Sequence, residues 1–145
     1  MDAIVQYIEA AICGLIPRYA EKMGLAKQLP ARIDRDWLLK SKSQRRLICL
    51  ARQTEWVLLR HIPELHWSFP EIARYFNNDH TTVMSGYKRI AIGCLVERKN
   101  NEFAQFVRAV TTNVKVNTSV SRFDLAREIK SDLRKKRLPH RRGRS

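Results

Sequence analysis

The side chains best suited to chemistry stand in one run, Asp79-His80-Thr81-Thr82. An acid, an imidazole and a hydroxyl invite a catalytic reading, which requires the three groups to converge on one point. If the run opens a helix, successive side chains diverge by about 100° and convergence is lost. The same short donors and acceptors suit base edges in a DNA major groove. There a threonine can also meet the thymine methyl, and an aspartate can accept from the cytosine amino group. Lys88 and Arg89 follow two turns later, where they are placed for phosphates rather than bases.

The other candidates are weaker. His61 and His66 flank a loop that holds Glu64, but no third metal ligand accompanies them. Cys13, Cys49 and Cys94 are 36 and 45 residues apart and form no C-x-x-C pair, so neither a disulfide framework nor a structural metal is expected. Trp37, Trp56 and Trp67 read as core or loop-packing residues, with stacking on unpaired bases reserved for any that prove exposed. No catalytic residue, metal or cofactor is assigned, and the chain is read as a non-enzyme.

Positioning the Asp79 run requires helices on both sides of a tight turn. Ser68 ahead of Pro70 and Glu71 specifies a helix start, with a cap, a proline in the first turn and an acid at the dipole's positive end. A short helix over 70–76 follows, with Ile72 and Phe76 inward and Ala73 small at the crossing. Asn77-Asn78 form the turn, and Asp79 caps a helix running to about Ile90 with Val83 and Tyr87 inward. That arrangement is a helix-turn-helix.

Around it, Ile4, Ile8, Ile12, Leu15 and Tyr19 form a helical stripe over about 2–16, which Pro17 is expected to interrupt. The stripe either packs on the domain core or serves a partner or a second copy. A linker over 28–35, a helical start at Asp36 and a helix over about 50–61 come next. Further helices are expected around Phe103–Val110 and over 121–137, with Val114–Val120 as a connector. The expected fold is all-α, in three segments: 1–29, an amphipathic helix; 30–112, the helix-turn-helix domain; and 113–145, a basic helix and tail.

The charge distribution agrees with a polyanionic partner. The 145 residues carry 28 Lys+Arg against 14 Asp+Glu, a net charge of +14. Residues 1–29 are neutral, 30–90 hold eleven bases and six acids, and 130–145 hold eight bases and one acid. The tail, ending Arg141-Arg142-Gly143-Arg144, is either a phosphate-binding arm or a solvated appendage. The longest apolar stretch near the start, Ala10 to Pro17, is far below the roughly 18 residues that span a bilayer, so a cytoplasmic, nucleoid-associated protein without membrane contact is expected.

Phe69-Pro70-Glu71-Ile72-Ala73, then Phe76, then Asp79-His80-Thr81-Thr82-Val83-Met84, then Lys88-Arg89-Ile90, resembles the C-terminal DNA-binding domain of the bacterial replication initiator DnaA, over about Trp37 to Ile92. The resemblance implies recognition of origin boxes on double-stranded DNA. Asp79, His80, Thr81 and Thr82 would read the major groove, and Lys42, Arg45, Arg46, Arg52, Lys88 and Arg89 would serve as phosphate or loop contacts. Two positions depart from the family pattern. Leu50 stands where the family places its minor-groove arginine, leaving Arg45 or Arg46 as replacements, and Asn77-Asn78 replace a glycine and a basic residue in the turn. No G-x-x-x-x-G-K-[S/T] loop precedes Trp37, so no nucleotide is expected. The expected function is sequence-specific DNA binding that regulates replication initiation or transcription. The alternative is an adaptor that grips the initiator or another replication protein through its N-terminal helix.

Overall fold

The computed structural model describes residues 2–96 and 102–142, and among them it contains seven α-helices and no strand. The side chains of 136–142 and the final residues 143–145 lie outside that description, and with them the Arg141-Arg142-Gly143-Arg144 end of the tail.

Helix α1 (Ala3–Lys22) starts at Asp2, whose carboxylate accepts from Ile4 N at 2.7 Å. Pro17 does not interrupt it, contrary to the expectation from sequence. An interior proline costs about 3 kcal/mol, but Ile8, Ile12, Ile16 and Ala20 are all fully buried on both sides of it. Continuing the helix keeps that stripe in the core. The stripe packs on α6 (Glu102–Asn117), where Tyr19 meets Phe106 at 5.6 Å between ring centroids and the Tyr7 hydroxyl donates to Asn113 Oδ1 at 2.9 Å. Helix α6 extends to Asn117, so Val114, expected in a connector, is instead a core residue in line with Val107 and Val110.

Helix α2 (Arg35–Lys40) is short and capped by Asp34, which accepts from Trp37 N at 3.0 Å. Helix α3 (Arg46–His61) begins four residues before its expected start and occupies the centre of the molecule. Thirteen of its sixteen residues are buried, so other helices must cover it on every side. Helices α4 (Phe69–Tyr75) and α5 (His80–Ile90) pack across it, a π-helical turn follows over Ala91–Val96, and α7 (Leu125–Arg142) closes the fold with Leu125 and Ile129 buried.

Helix α5 approaches α3 closely because Gly86 lies at the crossing. A Cβ there would stand 2.5 Å from Trp56 Cζ3 and 3.0 Å from Gln53 Cγ. Beyond Trp56, α3 carries a fully buried acid, Glu55, whose oxygens find no hydrogen-bond donor in good geometry among the described residues. Burial pushes its carboxyl well above the usual carboxylate range. The neighbouring Glu9 raises it further, and Arg35 works in the opposite sense. Glu9 itself, nearly inaccessible on α1, accepts from Arg35 Nε at 2.8 Å and from the Tyr75 hydroxyl at 2.6 Å. This cluster joins α1, α2, α3 and α4.

Two outcomes follow. A methyl at Gly86 must displace either α5 or the Trp56 ring, so Gly86→Ala should destabilise the protein by about 1–3 kcal/mol, read as a lower urea midpoint. Glu55 has a folded-state pKa above its ordinary 4.5, so it is neutral in both states at low pH. As pH rises past that value, the unfolded chain releases a proton that the folded chain retains, and stability falls. Glu55→Gln removes this loss. The melting temperature of the variant should exceed that of the parent by roughly 3 °C at pH 8 and by much less at pH 5, and an equal gap at the two pH values refutes the assignment.

Candidate nucleic-acid interface

The helix pair is built as its local chemistry dictates. Ser68 and Glu71 form a reciprocal cap on α4: Glu71 N donates to Ser68 Oγ at 3.3 Å, and Ser68 N donates to Glu71 Oε1 at 2.9 Å. Phe69, Ile72, Ala73 and Phe76 face inward. Asn77 takes the left-handed conformation at φ 51°, which asparagine tolerates better than most residues. Asn78 N then reaches back to Ala73 O at 2.8 Å and closes the turn.

Helix α5 divides cleanly into two faces. Val83, Gly86, Tyr87 and Ile90 are buried, while His80, Thr81, Thr82, Lys88 and Arg89 are exposed, as is Asp79 ahead of them. Asp79 occupies the cap position, and its backbone carbonyl accepts from Val83 N at 3.1 Å. Its side chain makes no capping bond and lies 3.9 Å from His80 Nδ1 instead. The first-turn N–H groups of α5 therefore have no side-chain cap. Ser85 is also exposed, four residues after Thr81 and three after Thr82. Its spacing alone places it on their face, a signal that went unread in the sequence.

The loop before α3 is shaped by two hydroxyls. Ser43 N donates to Ser41 Oγ, and Arg45 N donates to Ser43 Oγ, both at 3.2 Å. Lys42, Arg45 and Arg46 are exposed on it. Gln28 Oε1 accepts from Leu47 N at 2.8 Å and thereby caps α3 from outside the loop. Arg46 and Arg89, far apart in sequence, line one cleft of about 500 Å³ together with Gln44 and Gln53. The fold thus brings the start of α3 and the end of α5 to a shared basic opening.

Arg52 corrects the reading from sequence. It is only 8% exposed, and its guanidinium donates to Leu38 O at 2.7 Å and to Ser41 O. Those bonds engage one carbonyl of α2 and that of its C-cap residue, so Arg52 holds the basic loop in place from beneath. Leu50 is likewise buried.

The remaining candidates fall within the scaffold. His61 is buried against the Tyr87 hydroxyl, and burial lowers its pKa to about 4, leaving the ring neutral near pH 7. Trp56 packs edge-on against Phe76, and Trp67 against Tyr75 at 5.3 Å. Among the described residues no group of three or more His, Cys, Asp and Glu side chains could hold a metal ion, and no helix is long and apolar enough to cross a membrane.

Residues 35–90 match the family model of the bacterial dnaA protein helix-turn-helix, a span that runs from the first residue of α2 to the last of α5. Neither the curated proteins nor the solved structures provide a match to the chain. With the helix pair, its turn and its exposed polar face in place, the segment from Arg35 to Ile90 is a DnaA C-terminal-type helix-turn-helix, a domain family whose activity is DNA binding.

Proposed function

We propose that the protein recognises initiator-type boxes on double-stranded DNA and, by occupying them on the nucleoid in the cytoplasm, regulates replication initiation or transcription. The observation that carries this reading is the segregation of α5, with short polar side chains outward at its N-terminal end and Val83 and Tyr87 inward. Asp79, His80, Thr81 and Thr82 take the base-reading role. Lys42, Arg45, Arg46, Lys88 and Arg89 take the phosphate contacts that set register. The adaptor reading draws little support from α1, because Ile8 and Ile12 of its apolar stripe are fully buried and Ile4, Leu15 and Tyr19 pack against the same core.

Fluorescence anisotropy with a box-containing duplex and a scrambled one tests the reading; equal affinity for both at about 150 mM salt removes the claim of specificity. His80→Ala or Thr81→Ala should cost about 1–3 kcal/mol on the preferred duplex and little on the scrambled one, and a uniform loss on both places α5 outside the groove. Removing residues 136–145 deletes five basic side chains while keeping Leu125, Ile129 and Asp132. If three of the five contact phosphates, the slope of log affinity against log salt should become shallower by about 2.7 on both duplexes. An unchanged slope makes the tail a solvated appendage.

A further inference from the structure

Asp132 stands on α7, outside the segment that matches the family, yet it reaches the inner side of α5. Its Oδ2 accepts from the Tyr87 hydroxyl at 3.0 Å and from Arg60 Nε at 2.8 Å, and its Oδ1 accepts from Arg60 Nη2 at 2.9 Å. Because Tyr87 gives its one hydroxyl proton to Asp132, its oxygen accepts from His61 Nε2–H. The Arg60 guanidinium also lies 4.0 Å from the centre of the Phe69 ring, which packs edge-on against Tyr87 at 5.2 Å. One connected set of contacts therefore spans α3, α4, α5 and α7.

This arrangement is more than a surface ion pair. Arg60 and Asp132 are only 17% and 16% exposed, so removing either partner leaves the other largely desolvated. Burial would raise the Asp132 carboxyl, but the hydrogen bonds and charge of Arg60 outweigh it and hold the group below its ordinary range. Asp132 thus stays ionised as an acceptor for Tyr87.

The geometry also has leverage. Tyr87 is seven residues beyond His80, which at 1.5 Å per residue is an arm of about 10 Å. A tilt of about 10° at Tyr87 moves His80 by nearly 2 Å, well beyond the tolerance of a hydrogen bond to a base edge.

We propose that Asp132 is a positioning residue of the DNA-binding face: through Tyr87 it sets the tilt of α5 at which Asp79–Thr82 meet base edges, and α7 is thereby part of the reading unit. The inference rests on α5 being the reading helix. A residue that contributes only to stability would alter melting without altering preference between duplexes.

The test uses the full chain carrying Tyr87→Phe, Asp132→Asn or both. Tyr87→Phe keeps the ring and the Arg60–Asp132 pair and removes one hydroxyl, which guards against a variant that fails to fold. Hydrogen exchange of the free protein reports on α5, with α6 as the internal reference. Anisotropy with box and scrambled duplexes reports on preference. In each single variant α5 amides should exchange at least tenfold faster with α6 unchanged, and the double variant should be faster by less than the product of the two single effects, since the two share the Tyr87–Asp132 bond. Preference for the box should fall at least fivefold while affinity for the scrambled duplex changes less than twofold. Unchanged α5 exchange, equal acceleration of α5 and α6, or faster α5 exchange with preference intact each overturn the proposal. Should the parent protein itself show no preference, box recognition fails, and the exchange comparison alone decides whether Asp132 positions α5.

Discussion

The burial of α3 is the constraint from which the rest of the architecture follows. A helix with thirteen of sixteen residues inside needs partners around its full circumference, and its polar side chains need partners too. Three of the answers recruit other elements, and one stays within the helix. Arg52 binds the carbonyls that end α2, Thr54 returns to Leu50 O at 2.8 Å, Arg60 grips α7, and His61 reaches the hydroxyl on α5. The position of the outward face of α5 is thus a consequence of satisfying one buried helix. Gly86 completes the arrangement by letting α5 come close enough to Trp56 for the inward face to seal.

The parts of this architecture that were legible in sequence are those whose signals are local. Ser68, Pro70 and Glu71 announce α4 within four residues, Asn77 announces the turn through its tolerance of positive φ, and Val83 and Tyr87 fall at a helical spacing that separates them from Thr81 and Thr82. What stayed hidden depends on distant neighbours. Helix α3 opens at the end of the basic run Lys40–Arg46 with no side-chain cap of its own, and the group that serves its first turn, Gln28, lies nineteen residues before Leu47, so its start carries no local signal. Pro17 is tolerated because the buried stripe of α1 continues past it, and that burial exists only once α6 is in place. Arg52 enters the loop contacts through the resemblance alone; only the path of α2 shows that its guanidinium is engaged inside.

The same logic bears on charge. Several of the fourteen acids are engaged by the fold. Glu9, Glu55 and Asp132 are buried or half-buried in networks, Asp2, Asp34, Glu71 and Asp124 accept from backbone N–H groups near helix starts, and Glu64 accepts from Ser121 N and Oγ at 2.8 and 2.6 Å. Of the bases, Lys42, Arg45, Arg46, Lys88 and Arg89 remain exposed. The net charge of +14 is thus unevenly presented: five bases stand outward on the basic loop and α5, and the neutral count over residues 1–29 conceals that one of its three acids, Glu9, is internal. A polyanion meets the exposed charges rather than the formal sum.

A helix-turn-helix by itself does not decide what a protein does, since the fold serves scaffolds as readily as readers. A role in reading bases would depend on how α5 is held relative to what it presents. The exposed residues at its N-terminal end are polar and mostly short, with little reach of their own, so any contact with base edges depends on where the helix is placed. Its inner face is correspondingly over-determined: Tyr87 is fully buried, hydrogen-bonded to His61 and Asp132, and flanked by the Phe69 ring, while Gly86 sits against Trp56. A surface that bound a partner through a pliable apolar patch would not need such constraint. Short side chains on a rigidly seated helix are what direct readout requires, because a reader with no slack in its side chains must have none in its backbone.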